Sequence, residues 1–264
     1  MASLRTLLLP LILAACTSEG APDDTADTSV DEVPPAIPLA VPGTLVDIPS
    51  GPFVMGCDTA AHPECNGDEA PVHTVELSAF RIEVTEVTVA QWQECRDAFG
   101  CPELSGEVGA ADEPMVGMTV DRAEGYCRWK ERRLPTEAEW ERAARGPEGG
   151  LYPWGDDAPD CDRAASRMCD GGLVPVSTHP AGMTAEGVYD MAGNAWEWVS
   201  DGYDADFYAS SSTTDPEGQA PGGQRVVRGP DGWADLTVLR STNREMAIPD
   251  GASALVGFRC VEAE

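Results

Sequence analysis

Nine cysteines in a chain of 264 residues constrain this sequence more than any other feature. Reducing compartments keep thiols free, so such a number argues for an oxidising one, and an odd count requires one thiol to meet a different fate. Three pairs lie close together: Cys57 with Cys65, Cys95 with Cys101, and Cys161 with Cys169. Each would close a short loop, worth ~2–3 kcal/mol if loop-closure entropy is what a disulfide removes. Cys127 and Cys260 would then pair over a long range, although eight cysteines allow many connectivities and spacing does not choose among them. Zinc is the rival reading. It would want paired CxxC spacing or neighbouring histidines, whereas no CxxC occurs and His62, His73 and His179 lie apart.

The ninth cysteine is Cys16. Arg5 gives a short cationic start, Leu7 to Leu13 form an apolar stretch, and Leu13-Ala14-Ala15-Cys16 closes it. The stretch is too short to span a bilayer and has the layout of an export signal. Small residues directly before a cysteine resemble the lipobox of bacterial lipoproteins. That resemblance implies a signal peptide over 1–15 and an acylated Cys16 that holds the chain to a lipid bilayer; the alternative is an ordinary signal with an incidental cysteine. Two or more acyl chains give the stable anchoring that one cannot. Thr17, rather than Asp, after the cysteine points by analogy to the outer membrane of a bacterial cell envelope.

Residues 16–43 read as an acidic tether, rich in Thr, Ser, Asp, Glu, Pro and Ala and without an aromatic. Such a composition buries too little apolar surface to offset its conformational entropy. Residues 17–42 carry six acids and no base. Of the formal charge of −29, the domain beyond the tether keeps −24, from 40 acids and 16 bases. Charge of that sign and size argues against nucleic acid as a partner, and against adsorption to an anionic membrane through protein charge overall.

The domain, 44–264, shows alternation suited to half-buried strands at Thr44–Ile48 and Val72–Leu77. Three helices are expected, over Thr85–Phe99, Thr119–Arg132 and Thr136–Arg145, the last opened by the capping box Thr136-x-x-Glu139. Beyond Gly146-Pro147 the chain is dense in Gly, Pro and Trp and reads as loops with short strands. A domain so poor in regular structure needs staples.

Several segments now form one pattern: Ile48 to Gly56, Glu69-Ala70-Pro71-Val72-His73, Thr85-Glu86-Val87-Thr88, Arg133-Leu134-Pro135-Thr136-Glu137-Ala138-Glu139-Trp140-Glu141, Pro153-Trp154-Gly155, Gly193-Asn194-Ala195-Trp196-Glu197-Trp198 and Gly257-Phe258-Arg259-Cys260. The pattern resembles the formylglycine-generating enzyme (sulfatase-modifying factor) domain over about residues 44 to 262. The resemblance implies a single α+β domain of the complicated C-type-lectin-like type with little regular structure. It also supports pairing Cys127 with Cys260.

Catalytic members of that family oxidise a substrate cysteine to formylglycine with oxygen and copper. Two soft thiolates, six and eleven residues past an Arg-Gly, hold the Cu(I). Here the anchor is Arg228-Gly229, and Ala234 and Leu239 fall at or next to those places, with no cysteine anywhere between Arg228 and Cys260. An apolar pair offers copper no donor, so no copper is expected and the family's oxidation is expected to be lost. The iron-dependent sulfoxide synthases of the superfamily use a His-rich helical domain that this sequence lacks. A Ser-His-Asp hydrolase lacks the G-x-S-x-G elbow.

The resemblance leaves a structural Ca2+ site, with side-chain oxygens from Asp190 and Glu197 and backbone carbonyls from Gly193 and Ala195. Hard oxygen donors in a tight loop suit Ca2+. The plainer alternative makes Trp196 and Trp198 core residues and Glu197 a satisfied loop acid. Arg228, Arg240 and Arg244, late in a chain short of cations, suggest a pocket for a carboxylate or acidic peptide; the alternative is ion pairing with Glu139, Glu141 or Glu197. These readings describe an envelope-anchored, non-catalytic binding or scaffold domain for a peptide, protein or glycan ligand. The competing function is a formylglycine-generating oxidase acting on a sulfatase cysteine.

Overall fold

The computed structural model describes residues 40–104, 109–219, 223–250 and 254–263. The expected signal peptide, the acylated Cys16 and most of the expected tether lie outside the described residues.

The chain opens with β1 (Leu45–Ile48), β2 (Gly51–Met55), β3 (His73–Leu77) and β4 (Phe80–Glu83). In β3, Val75 and Leu77 turn inward while Thr74 and Glu76 face solvent, the alternation of a half-buried strand. β2 and β3 form an antiparallel ribbon, and β1 pairs antiparallel with β4. The far side of β4 takes the C-terminal strand β9 (Val261–Ala263), so the beginning and end of the domain share one sheet. A second sheet has the order β7-β6-β5-β8, from β5 (Trp196–Gly202), β6 (Arg225–Arg228), β7 (Arg244–Ala247) and β8 (Val256–Gly257). Its β5–β8 pair is parallel and its other pairs antiparallel.

Helix α1 (Val89–Asp97) begins four residues later than the sequence suggested. Residues 84–88 bend away from β4 and lace the domain together. Val84 N donates to Thr44 O, Val87 N to Phe258 O, and Met115 N to Val87 O. Thr88 therefore caps the helix, in a capping box with Gln91. Helix α2 (Val120–Trp129) starts on the expected cap Thr119 but stops before Arg132. Glu131 takes a left-handed φ of 60° and Arg132 N turns back to Cys127 O, which satisfies the last carbonyls. Helix α3 (Glu137–Arg145) has the expected capping box from Thr136. All nine of its residues are buried, although five are charged. A one-turn helix, α4 (Phe207–Ser210), lies beyond β5.

Trp140, Ala143 and Ala144 of α3 pack with Phe53, Val75, Phe80, Ile82 and Val226 in one core; Trp92, Tyr126, Trp198 and Phe258 centre a second. All four disulfides join the pairs named from the sequence: Cys57–Cys65, Cys95–Cys101, Cys161–Cys169 and Cys127–Cys260.

Candidate functional site

The loop before β5 turns tightly. Asp190, Gly193 and Asn194 all have positive φ, and a Cβ on Gly193 would meet Ala165 O at 2.2 Å, so only glycine fits there. Asp190 Oδ2 accepts from Ser177 N at 2.7 Å, and Asn194 Oδ1 from Val174 N at 3.0 Å. These bonds fix the loop against the 174–177 segment.

At the loop's end Glu197 is fully buried. Its Oε1 accepts from Arg259 Nη2 at 2.7 Å; its Oε2 accepts from Arg259 Nε at 2.7 Å and from Trp140 Nε1 at 3.0 Å. Arg259 also donates to the Tyr189 and Glu83 carbonyls. The acid expected to reach a cation is thus already in a two-point pair with Arg259. Its neighbour is one the sequence reasoning missed. Glu86, read as part of a helix, is fully buried beside Asp190, and neither of its carboxylate oxygens accepts a hydrogen bond. Burial first, and then the Asp190 charge, push the Glu86 carboxyl well above the usual carboxylate range. Burial raises Asp190 as well.

Three buried carboxylates, Glu86, Asp190 and Glu197, thus face one guanidinium, Arg259. A divalent cation beside Glu86 would oppose the burial that favours its protonated form. Side chains alone do not form the cage: among the described residues the one cluster of three acid, Cys or His donors within 4.8 Å of one another is Cys57, Cys65 and Glu69, whose cysteines are joined as a disulfide. Backbone oxygens of the expected kind, from Gly193 and Ala195, would have to complete an oxygen site for Ca2+. The donors are of the hard oxygen type that Ca2+ takes, but both oxygens of Glu197 are already held by Arg259 and Trp140.

The two positions where the family pattern calls for copper thiolates lie in packed surroundings. Leu239 is fully buried in a cluster with Leu151, Tyr152, Ala164 and Ala192, and Ala234 packs against it half-buried. Around them Trp233 and Met168 are exposed.

Arg228, Arg240 and Arg244 do not form an open pocket, which corrects the expectation of an anion site. All three are buried. Arg228 donates to Glu137 Oε1 at 2.6 Å and Glu141 Oε2 at 2.7 Å, and Arg244 holds both oxygens of Glu137, at 2.6 and 2.9 Å. Arg240 pairs with Glu69 at 2.8 Å. Guanidiniums held by carboxylates in the interior lie out of reach of a solute, although Arg228 Nε and Arg240 Nε have no partner. A cavity of about 540 Å³ opens elsewhere, between Arg128, Arg133, Arg225, Glu124 and Glu217, with mixed charge.

Comparison with known proteins places these features. The domain family described as "Sulfatase-modifying factor enzyme 1-like domain" matches residues 31–264. The chain belongs to that family. It is 32% identical to hercynine oxygenase of Mycolicibacterium smegmatis, over 85% of this chain and 62% of that protein. It therefore spans less than two thirds of that relative. It is 31% identical to the formylglycine-generating enzyme of Streptomyces coelicolor, over 86% of this chain and 91% of that one. In fold it resembles the solved structure of PvdO from Pseudomonas aeruginosa, with a TM-score of 0.74 and 24% identity over 85% of this chain and 99% of the other. The fold is the C-type-lectin-like α+β domain of the formylglycine-generating type.

Proposed function

We propose that this chain is an envelope-anchored, non-catalytic member of its family, serving as a binding or scaffold domain. The observation that carries the reading is the apolar filling of the copper positions. Leu239 is fully buried against Leu151 and Tyr152, and Ala234 beside it has no donor atom. Copper would need both places to supply soft ligands. What surrounds them suits contact instead, because exposed Trp and Met side chains contribute strongly when an interface covers them. Trp233, about half exposed, and Met168 lie on that face, and Arg167 N donates to Ala234 O, which ties the two segments together. A peptide, protein or glycan at this surface is the ligand class proposed. Acylation at Cys16 would hold the domain to the membrane.

The alternative, a formylglycine-generating oxidase, draws support from the relative of that name in Streptomyces coelicolor. The two readings separate cleanly. Copper-supplied chain, incubated with a sulfatase-type cysteine peptide and oxygen, is expected to leave the peptide mass unchanged. Aldehyde above a no-protein control would overturn the non-catalytic reading.

A structural Ca2+ held by Asp190, Glu197, Gly193 and Ala195, with Glu86 adding charge, is part of the same proposal. Chelator is expected to lower the melting temperature of the purified chain, and Asp190→Ala is expected to abolish that difference. A melting curve indifferent to chelator removes the metal from the proposal.

A further inference from the structure

We propose that the Cys57–Cys65 disulfide is a reversible latch over a Zn2+ site, which two-electron reduction opens to the ligands Cys57, Cys65 and Glu69. The connection between β2 and β3 carries all three. Along 57–69 the residues are exposed or half-buried, with three exceptions: Cys57, Cys65 and Glu69. These three share one space, where a carboxylate oxygen of Glu69 and the two sulfurs lie within 4.8 Å of one another. A segment that buries only two sulfurs and one acid has the donor set of a metal site rather than of an apolar plug.

Hydrogen bonding leaves the same spot unfinished. Glu69 Oε1 accepts from Arg240 Nη2 at 2.8 Å and from Asn66 N at 2.9 Å. The buried Oε2 accepts nothing, and the buried Arg240 Nε donates to nothing. An acceptor left without a donor in the interior is costly, and a disulfide has no hydrogen to offer it. A thiol S–H would supply one, and a cation would satisfy the oxygen more strongly. Reduction therefore relieves an unmet demand at this bridge. Among the described residues it is the one bridge with a carboxylate oxygen so placed.

The backbone holds the donors in position without the S–S bond. Cys57 N donates to Glu69 O at 2.8 Å, Cys65 N to His62 O at 3.0 Å and Glu69 N to Asn66 O at 3.2 Å. Charge then chooses the ion. Two thiolates and the Glu69 carboxylate carry three negative charges, which Zn2+ and the Arg240 guanidinium together neutralise. Zn2+ takes thiolate and carboxylate in one site and admits water as a further ligand, whereas Cu(I) is selected by soft sulfur alone.

Cys65, 9% exposed against 2% for Cys57, is the sulfur that a dithiol reductant meets. A thiolate of the reductant attacks Cys65 Sγ, the S–S bond breaks, and Cys57 leaves as the thiolate. The reductant's second thiolate then displaces Cys65 and closes the reductant's own disulfide, so two electrons pass from the dithiol to the chain. Zn2+ takes the place of the two protons that the free thiols would hold. The site adjoins Leu239 and Ala234 in one cluster but uses neither, so it stands or falls apart from the non-catalytic reading.

The full chain is titrated with dithiothreitol, opened bridges are mapped by alkylation and peptide mass, and circular dichroism follows the fold. We expect Cys57–Cys65 to open with the fold kept. Zn2+ alone, added to that species once the reductant has been removed under argon, is expected to bind as one ion per chain and to shield Cys57 and Cys65 from alkylation. Glu69→Gln, opened in the same way, is expected to bind Zn2+ about tenfold more weakly or worse, the loss that even a residue touching only a ligand can cause. Glu64→Gln, which changes an exposed acid of the same segment, is expected to bind like the parent chain. A bridge that opens only as the domain unfolds, cysteines that Zn2+ does not shield, or equal affinity in the parent and Glu69→Gln overturns the inference. Shielding is read on the parent chain, so it decides the site even where Glu69→Gln does not fold.

Discussion

Glu137 and Glu141 sit one helical turn apart on α3, so their carboxylates reach the same buried space. There they meet Arg228, Arg244 and Arg145, with the Tyr208 hydroxyl between them. The sequence allowed ion pairing of the late arginines with Glu139, Glu141 or Glu197; Glu141 does pair with Arg228 and Glu197 with Arg259, whereas Glu139 meets neither. Glu139, two residues from each of the others, projects from the opposite side of α3 and is used by Arg133 and the cap at Thr136. Sequence spacing thus held the information that Glu137 and Glu141 act together; what it did not hold was which arginine they face. Arg259 with Glu197 was legible only in outline for the same reason. Removing one partner from such a cluster leaves charge uncompensated in the interior. Arg228→Met is therefore expected to destabilise the domain by about 3–5 kcal/mol, read as a lower urea midpoint. A loss below about 1 kcal/mol, the worth of an exposed pair, would mean that water reaches the cluster.

At the scale of elements, α2 and α3 were legible because their threonine caps precede clear helical periods. The start of α1 was not, since Thr85 and Thr88 both look like caps. The capping-box rule would have chosen correctly, because only Thr88 has a Gln three residues on. The sheet β7-β6-β5-β8 was legible only as unplaced short strands beyond Gly146-Pro147, because its strands lie in Gly- and Pro-rich chain and mostly pair across long separations. The disulfides make up for that irregularity unequally. Cys127–Cys260 spans 133 residues and ties α2 to the C-terminal segment before β9, whereas Cys161–Cys169 spans 8. Loop-closure entropy gives about 5 kcal/mol for the first and about 2.5 kcal/mol for the second. The double substitution Cys127→Ser with Cys260→Ser is expected to lower the unfolding free energy about twice as much as Cys161→Ser with Cys169→Ser. Equal losses in chemical denaturation would show that local packing, rather than chain constraint, sets the value of each bridge.

For the whole molecule, the excess of acid has a consequence for stability that two buried carboxyls sharpen. Burial first and the neighbouring Glu137 second push Asp201 up to about 7 from an ordinary 3.8. An acid raised in the folded state favours that state while protonated, so its contribution is lost as pH rises from 3.8 through about 7. Glu141 works in the opposite sense. Burial alone would raise it, but Arg228, Arg145 and the Gly56 N–H outweigh that and hold it at about 2, against an ordinary 4.5. Its contribution is complete above 4.5 and is lost as pH falls towards 2. Protonation of exposed acids also relieves the self-repulsion of a chain carrying −29 as pH falls. Asp201 and the self-repulsion both favour lower pH while Glu141 favours pH above 4.5, so stability declines from about 4.5 towards 7 and is greatest at the acid end of that range. Melting temperature measured against pH at low ionic strength is expected to rise as pH is lowered from neutrality, reach its maximum near 4.5 and fall below it. Added salt should raise the neutral branch more than the maximum, because screening removes the repulsion but leaves the buried Asp201 unchanged. A curve that climbs steadily from acid to alkaline pH would contradict the assignment of Asp201 and leave Glu141 and its arginines as the main source of the acid limit.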